Sequence, residues 1–424
     1  MYSVYALSLA LLIPPTSDQE PVPLTPQDFV HQPFLELLQV PGLEDESRSE
    51  LKALRSRIEK ERDQKIEELK QLEQGWKRKL DLQRQQLQLL NKQGSEDTEA
   101  AEKRRSDLHI EIASLERVLR ESSIERERTL PAVYTLQLTK LWLAEHWPER
   151  RERIRQEIDD GLARERRHGN AEDIGYRLLT KNPEQDIEAG QRAARQMVAG
   201  GWLPYEVQDN DVQSYARKVA GRIAANSDLK VPLHVTVLDS RELKAIALPG
   251  GYLYVTSGVI RAAHTESELA GVLSREIARI AARHATRSSK ASLFSKFFVP
   301  VTQVATGIFT AGSVSPAAYY GIGYGIEGLS GVLERTLIGN NEKFEKEADQ
   351  LGIQYAWKAG YDPRGFIAFL DSISSRSEKN FLSNEPLLQE RLLNCFSEIQ
   401  YLPTQKNPAP DSGEFDRIRQ RLAD

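Results

Sequence analysis

The sequence predicts a mostly helical α+β fold, with a small β-sheet in the C-terminal half and a helical hairpin before it. Three observations support this prediction. Residues 46–92 carry a long amphipathic pattern almost free of helix breakers. Residues 231–260 contain β-rich segments around a Gly-Gly break, and residues 265–287 return to helical periodicity. With 424 residues, the chain is long enough for two or three domains.

Composition narrows the classes of function. The formal net charge of -5 argues against dedicated nucleic-acid binding. A hydrophobic content of 40% is enough for a globular core. The single cysteine, Cys395, excludes an intramolecular disulfide and a zinc site of the four-cysteine kind.

The N-terminal segment has the length of a signal-peptide core. Val4 to Ile13 is an apolar run that is too short to span a bilayer as a helix, and the basic residues that normally precede such a core are missing. We expect residues 2–13 to act as an export signal, which would make the protein periplasmic or otherwise exported, with membrane association not required. The alternative is a frayed apolar N-terminus. Residues 14–45 are rich in proline and acidic residues, so residues 1–45 are interpreted as a signal and a linker.

Residues 46–130 are predicted to form the helical hairpin. The first helix has a heptad stripe, a polar turn follows at 91–99, and the second helix continues the pattern. The stripes consist of Ile66, Leu69, Trp76, Leu80, Leu87 and Leu90 in the first helix, and Leu108, Ile112, Leu115 and Leu119 in the second. Two interpretations remain open: an arm that binds a protein partner or an oligomer, and an arm that packs against its own C-terminal domain.

The remaining boundaries follow from changes in pattern. Residues 131–185 are interpreted as a helical connector, 186–400 as the main domain and 401–424 as a C-terminal tail. Within the main domain, Thr265 and Glu268 form a capping box that begins a helix.

Residues 297–326 contain no charged side chain but are broken by proline and glycine. This segment is interpreted as a buried or flap-like element beside the site, with a membrane-touching hairpin as the alternative.

The stretch SREIARIAARHATR, residues 274–287, has the spacing of a zinc-protease helix. Such a helix carries histidines at i and i+4, one turn apart, and a glutamate at i+1 that activates the zinc-bound water. Here Glu276 holds the glutamate position, but Arg275 and Arg279 hold the ligand positions. A guanidinium has no free lone pair and stays protonated, so it cannot ligate zinc.

Four segments in order resemble the M48 peptidase family, which comprises zinc metalloendopeptidases, over roughly residues 185–400. These are LPGGYLYVTSGVI (248–260), ESELAGVLSREIARIAARHATR (266–287), EKFEKEADQLG with AGYDPRGF (342–366), and FLSNEPLLQERL (381–392). The resemblance implies a gluzincin-like fold in which residues 248–260 form the edge strand of the active site. It also implies that Leu248, Pro249, Gly250, Gly251 and Tyr252 bind substrate.

The resemblance also assigns positions in the site. It implies that Glu276 is a vestigial general base, Glu345 a vestigial metal ligand and Asp349 its usual neighbour. Arg275 and Arg279 would replace the two histidine ligands, and Glu385 would replace a further histidine of an S-x-H-P segment. His284 matches the end of the family pattern but lies on nearly the opposite side of the helix from Arg275, so we interpret it as structural.

The charges suggest what stands in place of the metal. If the fold is kept, Glu345 and Asp349 face a basic stripe formed by Arg275, Arg279 and Arg283. Buried carboxylates without a dication would cost several kcal/mol, and guanidinium groups can compensate them. We therefore expect Arg275 or Arg279 to contact Glu345. The alternative is a solvated helix face with local pairs to Glu276.

Three functions remain open from the sequence. The first is a pseudopeptidase that binds no zinc and holds extended or unfolded polypeptide in the cell envelope by β-strand addition. The second is an active metal-dependent endopeptidase of protein quality control, with the oxygen atoms of Glu276, Glu345, Asp349 and Glu385 as ligands for Mg, Ca or Mn. The third is a structural coiled-coil protein with a decaying C-terminal domain, which the well-formed helix cap argues against.

Overall fold

The computed structural model describes residues 26–92, 99–161, 183–199, 203–287, 342–374, 388–405, 409 and 413–423. The predicted export signal, the uncharged segment 297–326 and Glu385 lie outside these residues. Among the described residues, no helix is both long enough and apolar enough to cross a membrane.

Two short helices occupy the region predicted to be a linker. Helices α1 (Pro26–His31) and α2 (Phe34–Leu37) pack into the main core. Phe29 and Phe34 are fully buried, and Asp371 accepts hydrogen bonds from the backbone N–H groups of Phe34 and Leu35 at 2.7 and 3.1 Å. The linker prediction was therefore wrong over residues 26–40. The apolar residues of this segment show no regular period, so the sequence pattern did not predict helices there. They are buried in the main core, and the Asp371 carboxylate accepts the first N–H groups of α2.

Helices α3 (Asp45–Lys92) and α4 (Glu99–Ile124) form the hairpin. They run antiparallel, since Arg84 pairs with Glu116 while Glu73, earlier in α3, meets Ser122 and Arg126 later in the chain. All of the predicted stripe residues are buried or half-buried. Glu73 occupies a position in this stripe and is buried, where its carboxylate accepts from Arg126 Nε at 2.9 Å.

The hairpin continues without a break into a third long helix. A π-helical segment (Glu125–Thr129) leads into α5 (Leu130–Asp159), which covers the first part of the predicted connector. The first turns of α3 pack against α1 and α5, and Leu51 and Leu54 belong to the main core. Trp147 of α5 lies edge-on to Phe396, with ring centroids 5.3 Å apart. The base of the arm thus packs against the C-terminal domain.

The sheet has three strands in the order β1-β3-β2: β1 (His234–Leu238), β2 (Ala245–Leu248) and β3 (Tyr252–Thr256). β1 is parallel to β3, with Val237 opposite Val255, and β2 is antiparallel to β3, with Leu248 opposite Tyr252. The outer edge of β1 is covered by residues 205–207, since Val207 N–H donates to Val237 O at 2.9 Å. Pro249–Gly251 forms a 3₁₀ turn between β2 and β3.

Helices cover both faces of the sheet. On one face α6 (Pro183–Ala199) packs Ala193, Ala194 and Met197 against Leu248 and Tyr254. On the other face, Val237, Ala247, Leu253 and Val255 join the main core. The helices around this core are α7 (Asn210–Ala225), α8 (Ser257–Ala262), α9 (Glu266–Ala281), α10 (His284–Arg287), α11 (Glu342–Lys358), α12 (Gly365–Ser374) and α13 (Leu388–Tyr401).

The predicted C-terminal tail contains a packed helix, α14 (Glu414–Ala423). Its apolar residues Phe415, Ile418 and Leu422 are buried, and Phe415 stacks on Tyr215 with ring centroids 6.1 Å apart. The prediction of a tail was wrong for this segment, because a three-residue apolar stripe on ten residues is enough to cover the α7 surface.

Candidate active site

Helix α9 is the buried element on which the site is built. Thr265 caps it, with Oγ1 accepting from Glu268 N–H at 3.2 Å, and all residues from Glu268 to Ala281 are buried. Helix α11 crosses it closely at Gly352, where an added Cβ would lie 2.9 Å from the Arg275 Cα. Because the two helices approach closely here, the charged residues of α11 lie next to those of α9.

Arg275 contacts three carboxylates. Its Nε donates to Asp349 Oδ1 at 2.7 Å, its Nη1 donates to Glu276 Oε1 at 3.1 Å, and its Nη2 donates to Glu345 Oε2. The guanidinium also lies over the ring of Phe366, 5.5 Å from its centroid. Burial by itself lowers the pKa of Arg275, but Glu345, Asp349 and Glu276 raise it above the ordinary arginine value, so the side chain is a permanent cation.

Glu345 receives a second arginine. Arg279 Nη2 donates to Glu345 Oε2 at 2.7 Å, and Arg279 Nε lies 3.4 Å from Glu276 Oε1. Burial raises the pKa of Glu345, but Arg279, Arg275 and Arg391 outweigh it and hold that pKa at about 2. Glu345 is therefore ionised at neutral pH, and both guanidinium groups point toward it.

A third arginine completes the cluster. Arg391 of α13 donates from Nε and Nη2 to Asp349 Oδ2 and Oδ1, at 2.6 and 2.8 Å, a bidentate pair. We call these residues the arginine–carboxylate cluster: Arg275, Arg279, Arg391, Glu276, Glu345 and Asp349. It holds three cations and three anions, so the buried charges balance. The sequence prediction missed Arg391, since nothing in its spacing separates it from the surface arginines of other helices.

The predicted basic stripe does not continue to Arg283. Arg283 ends α9 with a left-handed backbone, φ 57°, and donates to both oxygens of Asp186 at 2.6 and 3.0 Å. It thereby ties α6 to the end of α9 rather than joining the cluster. Next to it, His284 is buried, stacks on Phe344 and has Nε2 2.8 Å from Glu347 Oε2.

The structure revises the expected edge strand. Tyr252 begins β3, which is paired on both sides, so the strand that follows the Gly-Gly turn is central. In the described residues, the open edge belongs to β2, the strand that ends at Leu248. The open edge was predicted for the strand after the Gly-Gly turn, β3, whereas it belongs to the preceding strand, β2. Local sequence shows which residues are extended but not which strand lies outermost.

A cleft lies where the end of β2 and the turn that follows it meet the end of α9. Its lining includes residues 228–231, Ala247, Leu248, Pro249 and Gly250 from the sheet side of the chain, and Arg279, Ile280, Arg283 and His284 from the end of α9 and the residues that follow it. Leu248, Pro249 and Gly250, three of the five residues predicted to bind substrate, therefore line a cleft together with Arg279. We call it the β2 cleft.

The donor set of the cluster does not fit zinc. A helical zinc site needs two imidazoles one turn apart, and this helix offers guanidinium groups at both positions. The remaining candidate ligand, Glu345, uses Oε2 for both arginines. Among the described residues, no group of three or more histidine, cysteine or acidic side chains is arranged to hold a metal ion.

Comparison with known proteins finds a family profile that this part of the chain matches. Residues 206–397, which include the whole cluster, match the sequence profile of Peptidase family M48. This part of the chain resembles peptidase family M48. The match begins after α6 and leaves the hairpin outside it.

The chain is also similar to several curated proteins. The chain is 29% identical over 257 residues to the beta-barrel assembly-enhancing protease of Yersinia pestis, covering 58% of this chain and 50% of that protein. It is also 29% identical over 222 residues to the protein of the same name from Escherichia coli (strain K12), covering 50% and 43%. Mitochondrial metalloendopeptidase OMA1 of Schizosaccharomyces pombe is 30% identical over 152 residues, covering 35% and 40%. The chain thus spans half or less of the length of these curated relatives.

Proposed function

We propose that this protein is a pseudopeptidase: it keeps the M48-like fold, has lost hydrolysis, and binds extended polypeptide. The observation that carries the proposal is the contact of both Arg275 and Arg279 with Glu345. In this proposal the two arginines replace the histidine ligands, Glu345 is the former third ligand and Glu276 the former general base. Asp349 anchors Arg275 and Arg391.

The chemistry of these groups supports the loss of hydrolysis. Zinc in such a site would polarise the peptide carbonyl and lower the pKa of a bound water to about 7. Guanidinium groups have no lone pair with which to hold the metal. Glu276 is itself engaged by Arg275 at 3.1 Å and has no metal-bound water to activate. The oxygen-ligand alternative is disfavoured because Glu345 and both oxygens of Asp349 already accept from arginines.

The β2 edge supports polypeptide binding. Thr256 N–H donates to Lys244 O, so in this antiparallel pair the alternate residues Ala245 and Ala247 direct their backbone N–H and C=O groups away from β3. Ala247 lines the β2 cleft. An extended chain can pair with these groups as an added strand. The relatives named as proteases handle polypeptides, and the name of two of them refers to β-barrel assembly.

We place this activity in the cell envelope, on the basis of the apolar segment Val4–Ile13 and of those names. In this proposal the hairpin, whose outer surface exposes Leu82, Leu89 and Ile110, provides a surface for a protein partner. Among the described elements, α3 packs most extensively against α4 and α5, and α4 packs most extensively against α3.

Three measurements on the purified protein test the proposal. After exposure to excess zinc and desalting, elemental mass spectrometry should find far less than one zinc per chain. Casein should remain uncleaved, with or without a chelator. Fluorescence anisotropy should detect binding of an unfolded polypeptide such as reduced, carboxymethylated α-lactalbumin. Stoichiometric zinc together with chelator-sensitive cleavage would overturn the loss of hydrolysis.

A pair of variants tests the binding edge. Ala247→Pro removes an outward N–H group and should abolish polypeptide binding, because proline cannot donate to an added strand. Ala247→Gly keeps that N–H group and serves as the matched control. Equal binding by the two variants, both folded by circular dichroism, would show that the β2 edge is not the binding element.

A further inference from the structure

Arg279 differs from Arg275 in its relation to the β2 cleft. Arg279 lines this cleft together with Ala247 and Leu248, whereas Arg275, one helical turn earlier on the same face of α9, does not line it and instead lies beside Gly271 and Gly352. The two arginines that contact Glu345 therefore face different surroundings, and only Arg279 borders the edge strand.

The two arginines also differ in how many of their donors are used. Arg275 donates from Nε, Nη1 and Nη2, each to a different carboxylate. Arg279 donates to Glu345 from Nη2, and its Nε, although buried, makes no hydrogen bond to any described residue. A guanidinium has five N–H donors, so Arg279 retains donors for a further acceptor.

A second polar atom without a partner belongs to the same cleft. His284 lines it, and its Nδ1 is buried without a hydrogen-bond partner in the described part of the chain. Burial lowers the pKa of His284, and its Nε2 lies against the carboxylate of Glu347, so Nε2 carries the proton and Nδ1 is an acceptor. The residues around the cleft thus offer donors on Arg279 and an acceptor on His284. A peptide group presents the complementary pair, a carbonyl oxygen and an N–H.

The charge balance favours a neutral ligand group over an anion. The cluster already has three cations for three anions, and Arg283 at the end of the cleft is paired with Asp186. A carboxylate bound at Arg279 would add a fourth negative charge beside Glu345 and Glu276. A backbone carbonyl accepts a charge-assisted hydrogen bond without this repulsion.

We propose that Arg279 binds a main-chain carbonyl oxygen of an extended polypeptide that pairs with the outer edge of β2. This inference rests on the proposed polypeptide binding and adds the residue that holds the ligand. In this assignment Arg275 and Arg391 keep the cluster together, while Arg279 both neutralises Glu345 and contacts the ligand. The protein then holds a peptide carbonyl through a hydrogen bond and leaves it uncleaved.

The test uses a fluorescein-labelled peptide of about ten residues, alternating threonine and valine, a length typical of a single strand. Its affinity for the full-length chain is measured by fluorescence anisotropy. Arg279→Met should weaken binding by about 10- to 100-fold, the usual effect of losing a hydrogen bond to a charged group. Arg222→Lys is the matched control, because Arg222 also donates to a main-chain oxygen, that of Ala359, but lies outside the cleft. It should bind the peptide within about twofold of the wild type.

Two further measurements keep the test decisive if Arg279→Met folds poorly. Arg279→Lys retains a cation beside Glu345 and should show an intermediate loss of affinity. In the wild-type protein, the arginine side-chain ¹⁵N signal assigned to Arg279 should shift on addition of the peptide, while that of Arg222 should not. An unmoved Arg279 signal, or unchanged affinity in a folded Arg279 variant, would overturn the inference but leave polypeptide binding intact.

The chemical form of the ligand group is tested with two versions of the peptide. A peptide with a free C-terminal carboxylate and its C-terminal amide should bind equally well, since the acceptor is a main-chain carbonyl. A preference of about tenfold or more for the free acid would assign Arg279 to a terminal carboxylate and reject the carbonyl. If the wild-type protein binds neither version nor an unfolded polypeptide, the proposed function itself fails.

Discussion

Arg275 and Asp349 are joined across the interface of α9 and α11 by a hydrogen bond of 2.7 Å, and both side chains are almost completely buried. Asp349 accepts at the same time from Arg391 of α13. Three helices thus meet at one carboxylate. Because each charge is desolvated, the stability of this junction depends on every partner being present.

Removing Arg275 should destabilise the protein strongly. Arg275→Leu leaves Asp349 and Glu345 with one fewer cation in a buried site, and breaking a buried pair in this way costs about 3–5 kcal/mol. Urea unfolding at pH 7 measures the change in the free energy of unfolding. Arg364→Leu, which removes an exposed arginine paired with Asp362, should change that free energy by less than about 0.5 kcal/mol. Similar losses for the two variants would show that the cluster is not a stabilising junction.

The double variant Arg275→His/Arg279→His should gain a zinc site. The two imidazoles would lie one helical turn apart, and Glu345, which now reaches both guanidinium groups, would face the space that they leave. Elemental mass spectrometry after zinc exposure and desalting should give about one zinc per chain for the double variant and far less for either single variant. If the folded double variant binds no more zinc than the wild type, then Glu345 does not occupy a ligand position.

The free energy of unfolding should decrease in acid, because Glu345 binds a proton more weakly in the folded state than in the unfolded chain. Its pKa is held at about 2 in the folded state, below the ordinary value of 4.5, so the folded state binds the proton more weakly than the unfolded chain does. The stabilisation is therefore fully present above pH 4.5 and is lost as the pH falls toward 2, by up to about 3 kcal/mol. Free energies of unfolding between pH 7 and 2 measure this loss.

The control for the pH dependence is Glu345→Gln, which cannot ionise. Its free energy of unfolding should be lower than that of the wild type at pH 7, and the difference should shrink between pH 4.5 and 2, where Glu345 is protonated in the unfolded wild-type chain but still ionised in the folded protein. A constant difference across this range would mean that the charge of Glu345 does not account for the acid sensitivity.

Asp371 should hold the N-terminal helices on the domain. Its carboxylate accepts from the first two N–H groups of α2, and burial raises its pKa to about 6 despite these bonds. Asp371→Ala leaves those N–H groups without their acceptor, at a cost of about 1–3 kcal/mol. Hydrogen exchange followed by mass spectrometry should become faster over residues 26–40. Asp362→Ala, at an exposed carboxylate, is the control, and equal exchange in both variants would contradict the anchoring role.

Several parts of the structure were predictable because they depend on local pattern. The heptad stripes predicted two antiparallel helices, and every predicted stripe residue of α3 and α4 is buried or partly buried. Thr265 and Glu268 predicted the start of α9, since a capping box needs only neighbouring residues. The expected contact between the arginines of α9 and Glu345 is present, because i and i+4 positions on a helix face one neighbour.

Other features were decided by packing between distant segments. Asp349 and Arg391 are 42 residues apart, and their pairing depends on how α11 and α13 cross rather than on any spacing in the chain. The same holds for the docking of α1 and α2, which needs Asp371 more than 330 residues away. Local sequence also could not show that β2, and not β3, has the open edge, because the order of strands depends on which segments pair in space.

The sequence by itself therefore determined which charged groups the site contains, including the arginines, which cannot bind zinc. Only the tertiary structure decided how these groups share their partners. It brings three arginines and three carboxylates into one balanced cluster, and it leaves Arg279 alone among those arginines beside the open edge of β2. The reason is physical: a charge is a property of its residue, whereas its compensation in a low-dielectric interior depends on which other charges the fold places next to it.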